Sequence, residues 1–233
     1  MRLVLFDIDG TLLLTDGAGR RAIHQALVAE VGTAGPIDGH RFDGKTDPQI
    51  VHELLTLAGH AGAGDAARIA AVCARYLELL EIELAREDQL TRLLSGVPEL
   101  LAALVGPEAQ RRVLVGLLTG NLERGAALKL RAAGVAPERF AVGAYGSDAA
   151  HRPELPAIAR RRAEALIGRS IPGSDVVIVG DTPEDVACAR SIGARTVGVA
   201  TGRYDVAALA AAGATHVFPS LADTVAVLGA LLT

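Results

Sequence analysis

Tryptophan is absent from the 233 residues, and aromatic residues make up only 3% of them. Surfaces that stack nucleobases are built from aromatic faces, so a platform of that kind is not expected. Lysine is almost missing as well: Lys45 and Lys129 are the only two. The net charge is −4 and no basic stripe or tail is present, which argues against nucleic acid as the main partner. Cysteine occurs twice, as Cys73 and Cys188, each inside a helical pattern and far apart in the chain. They read as buried free thiols in a reducing compartment. No Cys-x-x-Cys pair or histidine cluster points to zinc. No apolar run approaches the ~20 residues of a membrane span. The amino terminus reads as a core strand rather than a signal peptide, because carboxylates interrupt it after Phe6. The expectation is a soluble, cytoplasmic protein, monomer or homodimer, with no membrane partner.

What the chain has is apolar residues, half of the total. That is ample for a sizeable core with an inserted module. The most informative stretch comes first: Leu3-Val4-Leu5-Phe6-Asp7-Ile8-Asp9-Gly10-Thr11. The apolar part reads as a buried parallel strand. Residues i and i+2 share a side on an extended chain, so Asp7 and Asp9 are expected together at its carboxyl end. Two close carboxylates repel unless a cation or a shared proton separates them. A hard divalent cation such as Mg²⁺ resolves this with oxygen ligands.

Residues 16–91 read as all-helical. A first helix over 16–31 stops at Gly32, a second starts at Asp47-Pro48 with Asp47 as its cap, and a third runs over 66–90. From residue 97 onward strands and helices alternate. Strands are expected at 113–118, 140–142, 176–179, 196–199 and 215–218. Helices are expected at 98–105, 122–133, 154–167, 183–192, 205–212 and 221–232. This alternation specifies an α/β fold, a doubly wound, mostly parallel Rossmann-like sheet. The core is assigned to 1–15 and 92–233, and an inserted helical cap to 16–91.

Four strand ends then carry polar residues: Asp7 and Asp9; Thr119-Gly120-Asn121; His151-Arg152-Pro153 in the loop after a weak strand; and Gly180-Asp181-Thr182-Pro183-Glu184-Asp185. A parallel sheet brings all four to one edge, where open α/β sheets bind ligands.

In this order and spacing, the four motifs resemble those of the haloacid-dehalogenase-like (HAD) phosphohydrolases. The helical insert resembles that family's C1-type cap, and Gly44-Lys45-Thr46-Asp47-Pro48-Gln49-Ile50 is similar to a stretch of phosphoglycolate-phosphatase-like members. The group resembled is the phosphoglycolate-phosphatase-like and β-phosphoglucomutase-like one. The resemblance implies a Mg²⁺-dependent phosphatase acting on a small phosphorylated metabolite through an aspartyl-phosphate. Asp7 would be the nucleophile and Asp9 the general acid and base. Metal ligation would fall to Asp7, the Asp9 backbone carbonyl, Asp181 and, directly or through water, Asp185. Thr119, Gly120 and Asn121 would bind the phosphoryl group. The third motif usually presents lysine. Here the loop has none, and Arg152 is the candidate. Lys129, mid-helix after the second core strand, reads as a poor substitute, and His151 as a loop residue. Lys45 is the expected cap contact to substrate, with Arg41 and one of Arg20 or Arg21 as further anion contacts. Phosphoglucomutase-type transfer uses the same motifs and stays open. A non-catalytic binding protein on this fold is the other alternative, against which stands the intact acidic set Asp7, Asp9, Asp181 and Asp185.

Overall fold

The computed structural model describes residues 1–105 and 112–233. Its centre is β1 (Arg2–Phe6), which is buried from Leu3 onward. Side chains alternate along it as the pleat requires. Leu3 and Leu5 pack on one face with Leu118, Ile178 and Leu155. Val4 and Phe6 pack on the other with Leu117, Val179 and Val197. Covering both faces is what permits a parallel sheet.

Five more strands complete that sheet: β4 (Val113–Leu118), β5 (Val142–Ala144), β6 (Val176–Gly180), β7 (Arg195–Val199) and β8 (His216–Phe218). The order is β5-β4-β1-β6-β7-β8, and every pairing is parallel. The chain moves outward from β1 through β4 to β5, then returns to β6 on the other side. β1 therefore lies at the topological switch point, where a crevice opens beyond the carboxyl ends of the strands. Crossovers run through α5 (Glu123–Ala132), α6 (Leu155–Ile167), α7 (Pro183–Arg190) and α8 (Val206–Ala211); α4 (Val97–Val105) precedes β4 and α9 (Thr224–Leu232) ends the chain.

Between β1 and α4 the chain forms a short antiparallel ribbon, β2 (Leu13–Leu14) with β3 (Arg92–Leu93), and between these three helices. These are α1 (Ala18–Val31), α2 (Asp47–Leu57) and α3 (Ala66–Leu84). They have a core of their own, built on Ile23, Leu27, Leu54, Val72, Tyr76 and Leu80, which Leu122 joins from the neighbouring loop. The ribbon is too short to show as a pattern in sequence. It brings the entrance and exit of the helical segment side by side.

Four expectations need correction. The weak strand lies at Val142–Ala144, two residues later than 140–142, because Gly143 and Ala144 pair with Leu117 and Leu118 and contribute no apolar signal. The third helix stops at Leu84, not 90, and Gln89 in the following turn donates to the Thr15 carbonyl. The cap of α2 is Thr46, whose hydroxyl accepts from Gln49 N at 3.2 Å; Asp47 is already helical. The last helix begins at Thr224 rather than 221, capped by Asp223. Among the described residues, no helix is long and apolar enough to cross a membrane.

Candidate active site

Asp7 follows β1, Thr119 follows β4 and Asp181 follows β6, so three parallel strands deliver three polar side chains to one crevice. The backbone holds them there: Asp7 N donates to Val179 O at 2.9 Å, and Thr119 N to Ala144 O at 3.0 Å. The crevice is a cavity of about 600 Å³ between the strand ends and the helical segment. Asp7, Asp9, Asn121, Lys129, Arg152 and Asp181 are on its wall.

Asp7, Asp181 and Asp185 are buried, and each has a carboxylate oxygen within 4.8 Å of the others'. Burial raises the Asp7 pKa to about 7; Arg152 opposes this, while Asp185 and Asp9 add to it. Burial, then Asp185 and Asp7, raise Asp181 to about 9. Arg152 partly compensates the cluster. Its guanidinium lies 2.5 Å from Asp185 Oδ1 and 3.2 Å from Asp7 Oδ1. Burial works against the guanidinium charge, yet Asp185 and Asp7 raise the Arg152 pKa above its ordinary value. Ionised together, three carboxylates against one guanidinium would leave two negative charges, and the donors are all hard oxygens. This set fits a divalent cation.

Local sequence explains the closeness. Gly10 turns the chain with φ +79°, and a Cβ there would lie 2.3 Å from Asp181 Oδ2. Only glycine satisfies both conditions. On the β6 side, Thr182 and Asp185 form a reciprocal capping box at the start of α7. Asp185 thus spends Oδ2 on Thr182 and Oδ1 on Arg152. Thr11 Oγ1 donates to Asp181 Oδ1 at 3.2 Å.

Asp9 sits apart from the trio, and its carboxylate is 44% exposed. Asn121 Nδ2 donates to Asp9 Oδ2 at 2.7 Å and to Thr119 Oγ1 at 2.8 Å. Lys129 Nζ donates to Asp9 Oδ1 and Oδ2 at 2.9 and 2.7 Å and to Asn121 Oδ1 at 2.6 Å. Thr119 is buried at the floor and is not the cap of α5, whose N-cap position is Leu122.

The structure therefore gathers Asp7, Asp9, Thr119, Asn121, Arg152, Asp181 and Asp185. Arg152, singled out in a loop without lysine, is buried beside Asp7, and its Nε carries no partner among the described residues. Lys129, expected mid-helix, lies in the last turn of α5 and is brought into the site. His151 is exposed and faces Glu154 instead.

The helical segment reaches the same place through its 44–48 turn. Asp47 N donates to Gly120 O at 2.8 Å, Asp47 Oδ2 accepts from Leu122 N at 2.9 Å, and Thr46 Oγ1 donates to Ala150 O at 2.7 Å. A Cβ on Gly120 would lie 1.9 Å from the Lys45 carbonyl, so the fit needs glycine there. Asp47 caps α5 from outside, and burial raises its pKa to about 6. Lys45 is on the cavity wall, but its ammonium pairs with Glu53 and lies near His40. Arg20 donates to the carbonyls of Ile37 and His40 and stacks on Phe42; Arg21 pairs with Glu83. Arg41 is exposed.

Residues 151–224 match the family model described as HAD-hydrolase-like. Phosphoglycolate phosphatase of Rhodospirillum rubrum is 30% identical over 234 residues, with 95% of this chain and 90% of the relative covered. A hydrolase from Pseudomonas syringae superposes with a TM-score of 0.75 at 22% identity, covering 100% of both chains. CbbY from Rhodobacter sphaeroides, solved in complex with phosphate, superposes at 0.69 with 20% identity over 96% of each chain.

Proposed function

This chain belongs to the haloacid-dehalogenase-like hydrolases, in their phosphoglycolate-phosphatase-like group, and from that membership we propose a Mg²⁺-dependent hydrolysis of a small phosphomonoester through a phosphorylated Asp7. The observation that carries the reading is the buried trio Asp7, Asp181 and Asp185 at the switch point of the sheet, with Arg152 pairing Asp7 and Asp185. Phosphoglycolate heads the substrate list, because the 30%-identical relative is named for it.

Asp7, Asp181 and Asp185, with the Asp9 backbone carbonyl, would hold the cation. When bound, it supplies the positive charge that lets a carboxylate approach a phosphate dianion. Asp7 Oδ attacks phosphorus; the bond from phosphorus to the ester oxygen breaks as Asp9 gives that oxygen its proton. Asp9 then takes a proton from water, the water oxygen attacks phosphorus, and the bond to Asp7 breaks with release of phosphate. Lys129 and Asn121 hold Asp9 in place. Thr119 Oγ1 and the Gly120 amide receive the phosphoryl oxygens beside Asn121, and the Arg152 guanidinium next to Asp7 supplies positive charge.

Residues 16–91 act as a cap over the core formed by 1–15 and 92–233. Lys45 is the cap contact to substrate, with Glu53 its partner at rest. The two buried free thiols fit a reducing compartment, and the cytoplasm is the proposed place of action.

The test is phosphate release from a panel of small phosphomonoesters with and without Mg²⁺, including phosphoglycolate and β-glucose 1-phosphate. Metal-dependent release supports the reading. Isomerisation of the sugar phosphate without release assigns phosphoryl transfer instead.

A further inference from the structure

One polar group in the cavity is used by none of these steps. Tyr76, on α3, is fully buried and borders the cavity, and its hydroxyl has no hydrogen-bond partner among the described residues. A buried hydroxyl without a partner is costly, so such groups are found where something else completes them. Burial, with Asp47 and Asp9 nearby, raises the Tyr76 pKa well above its ordinary value. The group therefore stays protonated and offers a donor.

Its surroundings say where that donor is aimed. Gly19 lies in the first turn of α1, which opens on Gly17 without a side-chain cap. A Cβ placed on Gly19 would lie 3.5 Å from Lys129 Nζ and 3.8 Å from Tyr76 Oη. The missing side chain leaves a gap facing both head groups. Lys129 in turn holds Asp9, the group assigned to protonate the leaving oxygen. Tyr76 thus borders the cavity beside Lys129, the residue that holds the acid assigned to the leaving oxygen.

We infer that Tyr76 is a substrate-binding residue whose hydroxyl donates to an oxygen on the leaving group of the substrate, in the gap that Gly19 leaves open. The inference rests on the phosphatase reading above and adds what the leaving group must carry: an oxygen acceptor a few bonds from the ester, as in a carboxylate or a hydroxyl. A simple alkyl phosphate has nothing to place there.

The experiment compares wild type, Tyr76→Phe and Gly19→Ala on phosphoglycolate, glycerol phosphate and ethyl phosphate, with Mg²⁺ present. The Phe variant removes only the hydroxyl, which bonds nothing in the protein, so its thermal midpoint is expected to equal or exceed wild type. Its kcat/KM is expected to fall about tenfold for the substrate whose oxygen it binds and to stay unchanged for ethyl phosphate. Whether phosphoglycolate or glycerol phosphate loses more distinguishes a carboxylate from a hydroxyl. Gly19→Ala places a methyl in the gap in a helix that favours alanine, so it should keep the fold and lose the same discrimination. An unchanged preference for both oxygenated substrates over ethyl phosphate in Tyr76→Phe overturns this inference alone. Wild type that releases phosphate from none of the three, nor from any member of the wider phosphomonoester panel, overturns the phosphatase reading and this inference with it.

Discussion

Lys129 donates to both carboxylate oxygens of Asp9, at 2.9 and 2.7 Å, from the last turn of α5. The helix starts at the end of β4 and packs against α3, so a side chain two turns along it reaches back over the strand ends. Lys129 is 5% exposed and also fills Asn121 Oδ1. Replacing it with methionine keeps the length and removes the bonds. Lys129→Met is expected to cost about 1–3 kcal/mol of stability and to lower kcat, since Asp9 is then fixed only by Asn121. Urea unfolding and steady-state rates on the same preparation check both effects. Wild-type kcat in a folded variant would show that Asp9 acts without Lys129.

Arg152 touches Asp7 and Asp185 through one guanidinium nitrogen. Lysine would keep the charge and lose the fork; methionine would lose both. The expected order of kcat/KM is wild type, then Arg152→Lys, then Arg152→Met. The methionine variant should also lose about 3–5 kcal/mol, because it leaves the buried Asp7 and Asp185 without their cation. Equal stability of the two variants would contradict the compensation described here.

The acidic trio makes a pH prediction. Asp7 and Asp181 have folded-state pKa values of about 7 and about 9, above the ordinary 3.8 of the unfolded chain. Between these limits the folded protein binds more protons than the unfolded one. Stability of the metal-free protein therefore falls as pH rises from about 4 to about 9. Mg²⁺ favours the ionised carboxylates and should reverse the trend, raising the thermal midpoint more at pH 8.5 than at pH 5. Thermal scans at both values, with and without Mg²⁺, decide it. An equal metal effect at the two pH values would contradict the ligand set.

Asp47 couples the helical segment to α5 through Leu122 N. Asp47→Asn keeps an acceptor and removes a buried charge whose pKa burial has raised to about 6. It should match or exceed wild-type stability above that pH, where the wild-type carboxylate is ionised. Asp47→Ala loses the acceptor and should cost about 1 kcal/mol, as other helix caps do. Urea midpoints at pH 8 separate the two.

How much of this was legible in the sequence depends on what each residue's neighbours had to do. Asp7, Thr119 and Asp181 follow buried strands directly, so a parallel sheet suffices to bring them together. Arg152 was legible because its loop holds no lysine to compete with it. Lys129 was not, since its place depends on how α5 tilts across the strand ends, which no local pattern records. Tyr76 sits on the apolar stripe of α3, and periodicity cannot tell a core tyrosine from one whose hydroxyl borders a cavity. Thr46 was overlooked as the α2 cap because Asp47 beside it is an equally good capping residue. Asp47 instead turns its carboxylate to Leu122, a partner 75 residues away in sequence.

The central claim is that Asp7 carries the phosphoryl group. Asp9→Asn removes the base that activates water while leaving Asp7 intact, so the phosphorylated enzyme should accumulate. The most direct measurement is mass spectrometry of the peptide bearing Asp7, after acid quench of Asp9→Asn incubated with Mg²⁺ and phosphoglycolate or another substrate found in the panel. The expected result is one added phosphoryl group on that peptide, absent when Asp7 is also changed to Asn. Turnover of the same substrate by wild type, with no phosphorylated Asp7 peptide at any quench time in either protein, would contradict it.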